Sequence, residues 1–117
     1  MSDLEELTKK IDQFAIDRDW TQFHSPKNLA ASISIEASEL MECFQWDDPT
    51  IDALKVDARR LENVKSELAD VLNYTLRLCS ILELDPIEIV TKKLQENGKK
   101  YPVNKSKGSS KKYTEFE

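Results

Sequence analysis

Only two of the 117 residues are glycine and four are proline, so hairpin turns and strand bends have little to be built from. That scarcity argues against an all-β architecture. Two cysteines, Cys43 and Cys79, and one histidine, His24, cannot make a four-ligand zinc site, and no CxxC is present. The cysteines read as reduced packing residues of a cytosolic protein. Basic excess is missing too: 22 acidic against 17 basic residues leave a formal net charge of -5, the wrong sign for a surface that neutralises nucleic-acid phosphates. No apolar run reaches membrane-spanning length, and the first ten residues are too charged for a signal peptide. The expectation is a cytoplasmic chain that binds neither nucleic-acid polymer nor membrane.

What is abundant is helix-forming sequence, 33% charged and 39% hydrophobic, in long stretches with a 3.6-residue period. Ser2 or Asp3 opens a first helix on the stripe Leu4, Leu7, Ile11, Phe14 and Ala15, ending near Arg18 or Asp19. The aromatic segment Asp19 to Ser25 lacks such a stripe and reads as a structured loop. Ser25 and Pro26 form a cap-plus-proline start for a second helix reaching about Gln45. A short piece follows from Ile51, and a third long helix spans about Asp57 to Leu82. Asp85 and Pro86 open a fourth, which Gly98 is placed to stop. The expected fold is an all-α four-helix bundle over residues 1–102, with a flexible lysine- and serine-rich tail over 103–117.

Two acidic tetrapeptides stand out in this pattern. Glu36-Ala37-Ser38-Glu39 lies on the second helix and Glu67-Leu68-Ala69-Asp70 on the third. Residues three apart on a helix are neighbours, with Cβ atoms about 5–6 Å apart. Each tetrapeptide thus offers two carboxylates to one place. Glu36 falls within the apolar arc of Leu29, Ile33, Leu40, Cys43 and Phe44, where an anion is costly unless a cation or donors compensate it. On the third helix the arc runs through Leu61, Val64, Leu68, Val71, Leu72, Thr75, Leu78 and Leu82. Glu67 projects near Leu78, with Asp70 at the margin beside Tyr74.

Hard oxygen ligands without histidine or cysteine select Mg²⁺, Mn²⁺ or Ca²⁺. A di-iron carboxylate bundle would need Glu-x-x-His on two helices, which one histidine cannot provide. Divalent ions about 3.5–4 Å apart can clamp the attacking and leaving oxygens of a phosphoryl displacement, which makes an acidic cluster compatible with an anionic nucleotide. Lys107-Gly108-Ser109-Ser110 is not a P-loop, because the upstream glycine is missing. Trp20, Phe23, His24 and Trp46 flank the second helix and could serve as base platforms or as core plugs. Lys93 and Asn97, one turn apart on the fourth helix, could reach phosphate or face solvent.

Beyond these readings, the run Asp19-Trp20-x-x-Phe23-His24-x-Pro26-x-Asn28-Leu29, followed by Glu36-x-x-Glu39-Leu40-x-Glu42-x-Phe44-Gln45-Trp46, resembles the dCTP pyrophosphatase branch of the MazG-like nucleoside triphosphate pyrophosphohydrolases. Glu67-Leu68-x-Asp70-Val71-Leu72-x-Tyr74 and Lys93-x-x-x-Asn97 before Tyr101-Pro102 are similar to it as well. The sequence departs from many members at Ile35 and Ser66, where a glutamate often precedes the metal-binding one. The resemblance implies an all-α homodimer or homotetramer that uses Mg²⁺, or Mn²⁺ in its place, to split a nucleoside triphosphate into monophosphate and pyrophosphate. It implies Glu36, Glu39, Glu67 and Asp70 as metal-binding catalytic residues and Lys93 and Asn97 as phosphate contacts. Trp20, His24, Asn28, Trp46 and Tyr74 would frame base and sugar. The alternatives are a non-catalytic helical oligomerisation module, in which the same acids are solvated, and a sensor that binds nucleotide without turnover.

Overall fold

The structure, a computed structural model, describes residues 2–116, with Met1 and Glu117 outside the described residues. Its helices are α1 (Asp3–Asp17), α2 (Pro26–Glu42), α3 (Ile51–Val56), α4 (Ala58–Ile81), α5 (Pro86–Lys100) and α6 (Val103–Ser106), with 3-10 turns at Thr21–Phe23 and Tyr113–Glu115. No strand occurs among the described residues. The chain is an all-α helical bundle divided into two compact units, one through Glu83 and one from Leu84 onward.

In the first unit α2 lies along α4, and α1 and α3 also pack on α4. Leu29 of α2, Ala15 of α1 and Leu76 and Cys79 of α4 are its buried apolar residues. The first unit groups α1, α2 and α4 with the six-residue α3, and α5 belongs to the second unit.

Local chemistry sets most helix starts. Ser2 accepts from the Glu5 N–H while Glu5 reaches back to the Ser2 N–H, a capping box. Ser25, Thr50 and Asp57 likewise accept N–H groups at the starts of α2, α3 and α4. The ends depart from expectation in two places. Helix α2 stops at Glu42 rather than near Gln45, because the Cys43 carbonyl accepts Arg60 Nε and Nη2 at 3.1 and 2.8 Å. The same guanidinium holds Asp47, so a side chain from α4 pulls the turn out of helical register. Helix α5 runs through Gly98 to Lys100. Its stop is Pro102, which disfavours helical geometry at Tyr101.

The second unit also carries structure that its tail composition does not disclose. The Tyr101 ring is met edge-on by Tyr113 at 5.9 Å and by Phe116 at 5.7 Å, and Lys100 Nζ stands 5.0 Å from the Tyr113 ring centre. Ser106 Oγ donates back toward the Tyr101 and Pro102 carbonyls. The compositional boundary at 102/103 thus falls inside the second unit.

After α1 the chain turns through Asp19 at φ 56°, with Trp20 N–H to Ala15 carbonyl and Asp19 N–H to Ile16 carbonyl, the two bonds of a Schellman ending. Glu83 repeats the left-handed conformation after α4, also at φ 56°. Left-handed backbone costs a side-chain-bearing residue about 1–2 kcal/mol, offset in part by the entropy glycine loses. Glu83→Gly is accordingly expected to stabilise the fold by about 0.5–1 kcal/mol, read as a higher urea midpoint with unchanged slope.

Candidate active site

Packing α2 along α4 brings the two acidic tetrapeptides together. One carboxylate oxygen from each of Glu36, Glu67 and Asp70 lies within 4.8 Å of the other two. Oε2 of Glu36 and Oε2 of Glu67 are shielded from solvent and have no hydrogen-bond partner. Glu39, one turn along α2, stands within hydrogen-bonding reach of both Glu36 and Glu67. No ion pair among the described residues involves any of the four. Ile35 and Ser66, where resemblance led one to look for further glutamates, are exposed, Ile35 by 58%.

This crowding controls protonation. The Glu36 carboxyl is pushed up to about 7 by burial, then by the close approach and charge of the Glu39 carboxyl and the charges of Asp70 and Glu67. Glu67 is also raised, mainly by the close approach of the Glu39 carboxyl, with burial and the charges of Glu39, Asp70 and Glu42 adding to it. Carboxylates that lack partners and repel one another have two remedies, a shared proton or a cation. The donor set consists solely of hard oxygens, and two of those oxygens are orphaned. The residues therefore suit Mg²⁺ or Mn²⁺.

Beside the acids lies a cavity of about 350 Å³ walled by Trp20, His24, Asp70, Tyr74 and Arg77, with Phe14, Ile11 and Lys10 of α1 and Asn73 of α4 also lining it. Its volume is in the range of small-ligand pockets. Phe14 meets Trp20 edge-on at 5.7 Å and 69°, fixing that indole on the wall. Arg77 is 6% exposed and spans three elements. Its Nη1 bonds Asp12 Oδ1 at 2.7 Å, its Nη2 bonds Thr21 Oγ1 at 3.2 Å, and its Nε donates to His24 Nδ1 at 3.1 Å. Ser80 Oγ donates to the other Asp12 oxygen at 2.6 Å. His24 is held below its ordinary protonation range by burial and by the Arg77 charge.

Of the residues singled out from sequence, Trp20, His24 and Tyr74 stand on this cavity with Asp70. Asn28 is placed differently: its amide donates to the Phe23 carbonyl at 3.0 Å and braces the loop that carries His24. Trp46 is 88% exposed and outside the cavity wall. Lys93 and Asn97 lie on α5 in the second unit, where Lys93 approaches Glu96 at 3.6 Å. Sequence reasoning missed the contribution of α1 and all of the Arg77 network. One signal for it was available. Asp70, Tyr74 and Arg77 recur at i, i+4 and i+7 and so share a face.

The MazG-like family pattern matches residues 31–116. The chain belongs to the MazG-like family. It is 36% identical over 114 residues to dCTP pyrophosphatase 1 of Mus musculus, covering 97% of this chain and 67% of that protein. The dCTP pyrophosphatase 1 of Homo sapiens gives the same identity and coverage. Among solved structures, a pyrophosphatase from Archaeoglobus fulgidus superposes with a TM-score of 0.79 at 45% identity, over 87% of this chain and 94% of that one. No helix among the described residues is long and apolar enough to cross a membrane.

The sign of the pH dependence follows from Glu36. Its folded pKa lies above the ordinary 4.5, so its contribution to metal-free stability is complete below that value and is lost as pH rises through about 7. Metal-free protein should melt at falling temperature across this window, and Glu36→Gln should flatten the fall. An identical pH profile in the variant would show that Glu36 carries no such proton.

Proposed function

We propose that the protein is a Mg²⁺-dependent nucleoside triphosphate pyrophosphohydrolase that converts a deoxynucleoside triphosphate, dCTP first among candidates, into the monophosphate and pyrophosphate. One observation carries the reading: Asp70 belongs both to the carboxylate cluster and to the wall of the adjoining cavity. A triphosphate at the acids therefore has space for its base alongside. The similarity to dCTP pyrophosphatase 1 supports the choice of base. Control of the cytosolic nucleotide pool is the role that this chemistry would serve.

In this reading Glu36, Glu67 and Asp70 hold Mg²⁺, with Glu39 beside them. When bound, the metal neutralises phosphate charge and draws electron density from the phosphorus under attack. Glu39 orients a water and accepts its proton as the oxygen attacks the α-phosphorus in line, and the α–β bridging oxygen leaves with pyrophosphate. Trp20 and Tyr74 enclose the base, offering π faces that stack on any nucleobase. Lys93 and Asn97 are assigned to the phosphates by their place in the motif.

Self-association belongs to the same proposal. Leu68 and Leu72 on α4 are 46% and 53% exposed, and Ile87, Val90 and Leu94 on α5 are 61%, 56% and 65% exposed. So much open aliphatic surface suits a homodimer or homotetramer, within which Trp46 would gain a neighbour and could close the base site.

Four outcomes test the reading. With Mg²⁺, dCTP should yield pyrophosphate and dCMP, whereas release of orthophosphate would refute the assignment. Asp70→Asn should lower kcat at least about 100-fold with its helical circular dichroism intact. By light scattering the protein should have a mass two or four times 13.5 kDa. Leu72→Asp is expected to shift that mass toward the monomer, and a monomeric wild type would remove the assembly.

A further inference from the structure

We propose that Arg77 is a positioning residue: it holds His24 as the Nε2–H tautomer, so that the cavity presents one fixed donor to a hydrogen-bond acceptor on the base of the bound nucleotide. The identity of the ligand rests on the pyrophosphohydrolase reading above, whereas the tautomer does not.

The chemistry is one of exclusion. A guanidinium has donors and no acceptor, so the Arg77 Nε–H facing His24 Nδ1 at 3.1 Å requires that nitrogen to carry a lone pair. A neutral imidazole with an unprotonated Nδ1 bears its hydrogen on Nε2. The imidazolium form would set N–H against N–H, and burial opposes it as well.

Arg77 cannot readily turn away. Asp12 binds one of its terminal nitrogens and Thr21 the other, and Ser80 pins the second oxygen of Asp12. Asn28 holds the loop from its other side through the Phe23 carbonyl. His24 Nε2 makes no hydrogen bond among the described residues, and the ring stands on the cavity wall with Trp20 and Tyr74. Two aromatic faces accept any base. A fixed N–H on the same wall requires that base to present an acceptor, which cytosine does through its O2 carbonyl and N3.

His24 is the only histidine, so one set of imidazole nitrogen resonances reports it without assignment by mutation. In the ¹⁵N-labelled full-length chain at pH 7, Nε2 should appear protonated and Nδ1 unprotonated. The opposite pattern, or the averaged shifts of two exchanging tautomers, would overturn the proposal. Arg77→Lys keeps a cation for Asp12 but cannot also serve Thr21 and His24. With helical content preserved it should show averaged imidazole shifts, and a folded variant with an unchanged Nε2–H pattern would deny Arg77 the role.

Titration of the Mg²⁺-loaded wild type with a non-hydrolysable α,β-methylene analogue of dCTP should move the Nε2 resonance, while inorganic tripolyphosphate with Mg²⁺, which has no base, should leave it in place. Equal movement with both, or with neither, would refute base recognition. This measurement needs no turnover, so it stands apart from failure of the enzymatic reading. In the kinetic arm, His24→Leu should raise KM for dCTP about tenfold while kcat changes less, and His24→Gln, which keeps an amide N–H, should recover most of the loss. A fall in kcat at unchanged KM would contradict a donor to the base.

Discussion

Everything near the site answers to the repulsion among Glu36, Glu39, Glu67 and Asp70. Two of these carboxylates stand on each of two packed helices, at a spacing that holds each pair on one face. Because α2 lies along α4, the pairs cannot separate unless the helices do. No cationic side chain shares the burden among the described residues, and two carboxylate oxygens have no donor at all. The fold therefore spends packing energy to keep like charges close, a strain expected where a site is arranged for a ligand rather than for stability. Taking up a proton at Glu36 near neutral pH is how the metal-free chain relieves it.

The opposite solution stands about two turns further along α4. Arg77 is more deeply buried than any of the acids, yet its guanidinium is met by Asp12, Thr21 and His24. A buried charge satisfied in this way ties α1, the loop before α2 and α4 into one arrangement, because removing a partner would leave the others exposed to a desolvation cost. One helix thus carries an underpartnered anionic segment at its middle and a partnered cation two turns on, with the cavity on the face of Asp70 and Tyr74. Rigidity on one side and unmet ligand capacity on the other are complementary requirements for holding a charged substrate in one pose.

The legible parts of this design were those governed by local periodicity and capping. Glu36 could be placed on an apolar face from its helical phase alone, and Ser25 with Pro26 announced the start of α2. The helix ends decided by distant groups were not legible. Arg60, seventeen residues beyond Cys43, ends α2 early, and nothing local at Gly98 shows that Pro102 will end α5. Arg77 was hidden for a related reason. Its partners lie 53 to 65 residues away, and a lone arginine among leucines is equally consistent with an exposed helix face. Periodicity identifies which face is apolar, but not what covers it.

That last distinction matters most for α4. Leu68 and Leu72 of its apolar arc, and Leu82 just beyond the helix, remain about half exposed, while among the described apolar residues only Ala15, Leu29, Leu76 and Cys79 are buried. A core that small is marginal for a chain of this length. The uncovered residues are also next to the acids: Leu68 follows Glu67, and Ile35, 58% exposed, precedes Glu36. Burying Leu68 and Ile35 against a second copy would lower the local dielectric around the carboxylates, strengthening both their mutual repulsion and their attraction for a cation. Assembly and metal affinity would then rise together, because one displacement of water serves both, and a monomer would be the weaker binder even with every ligand residue in place.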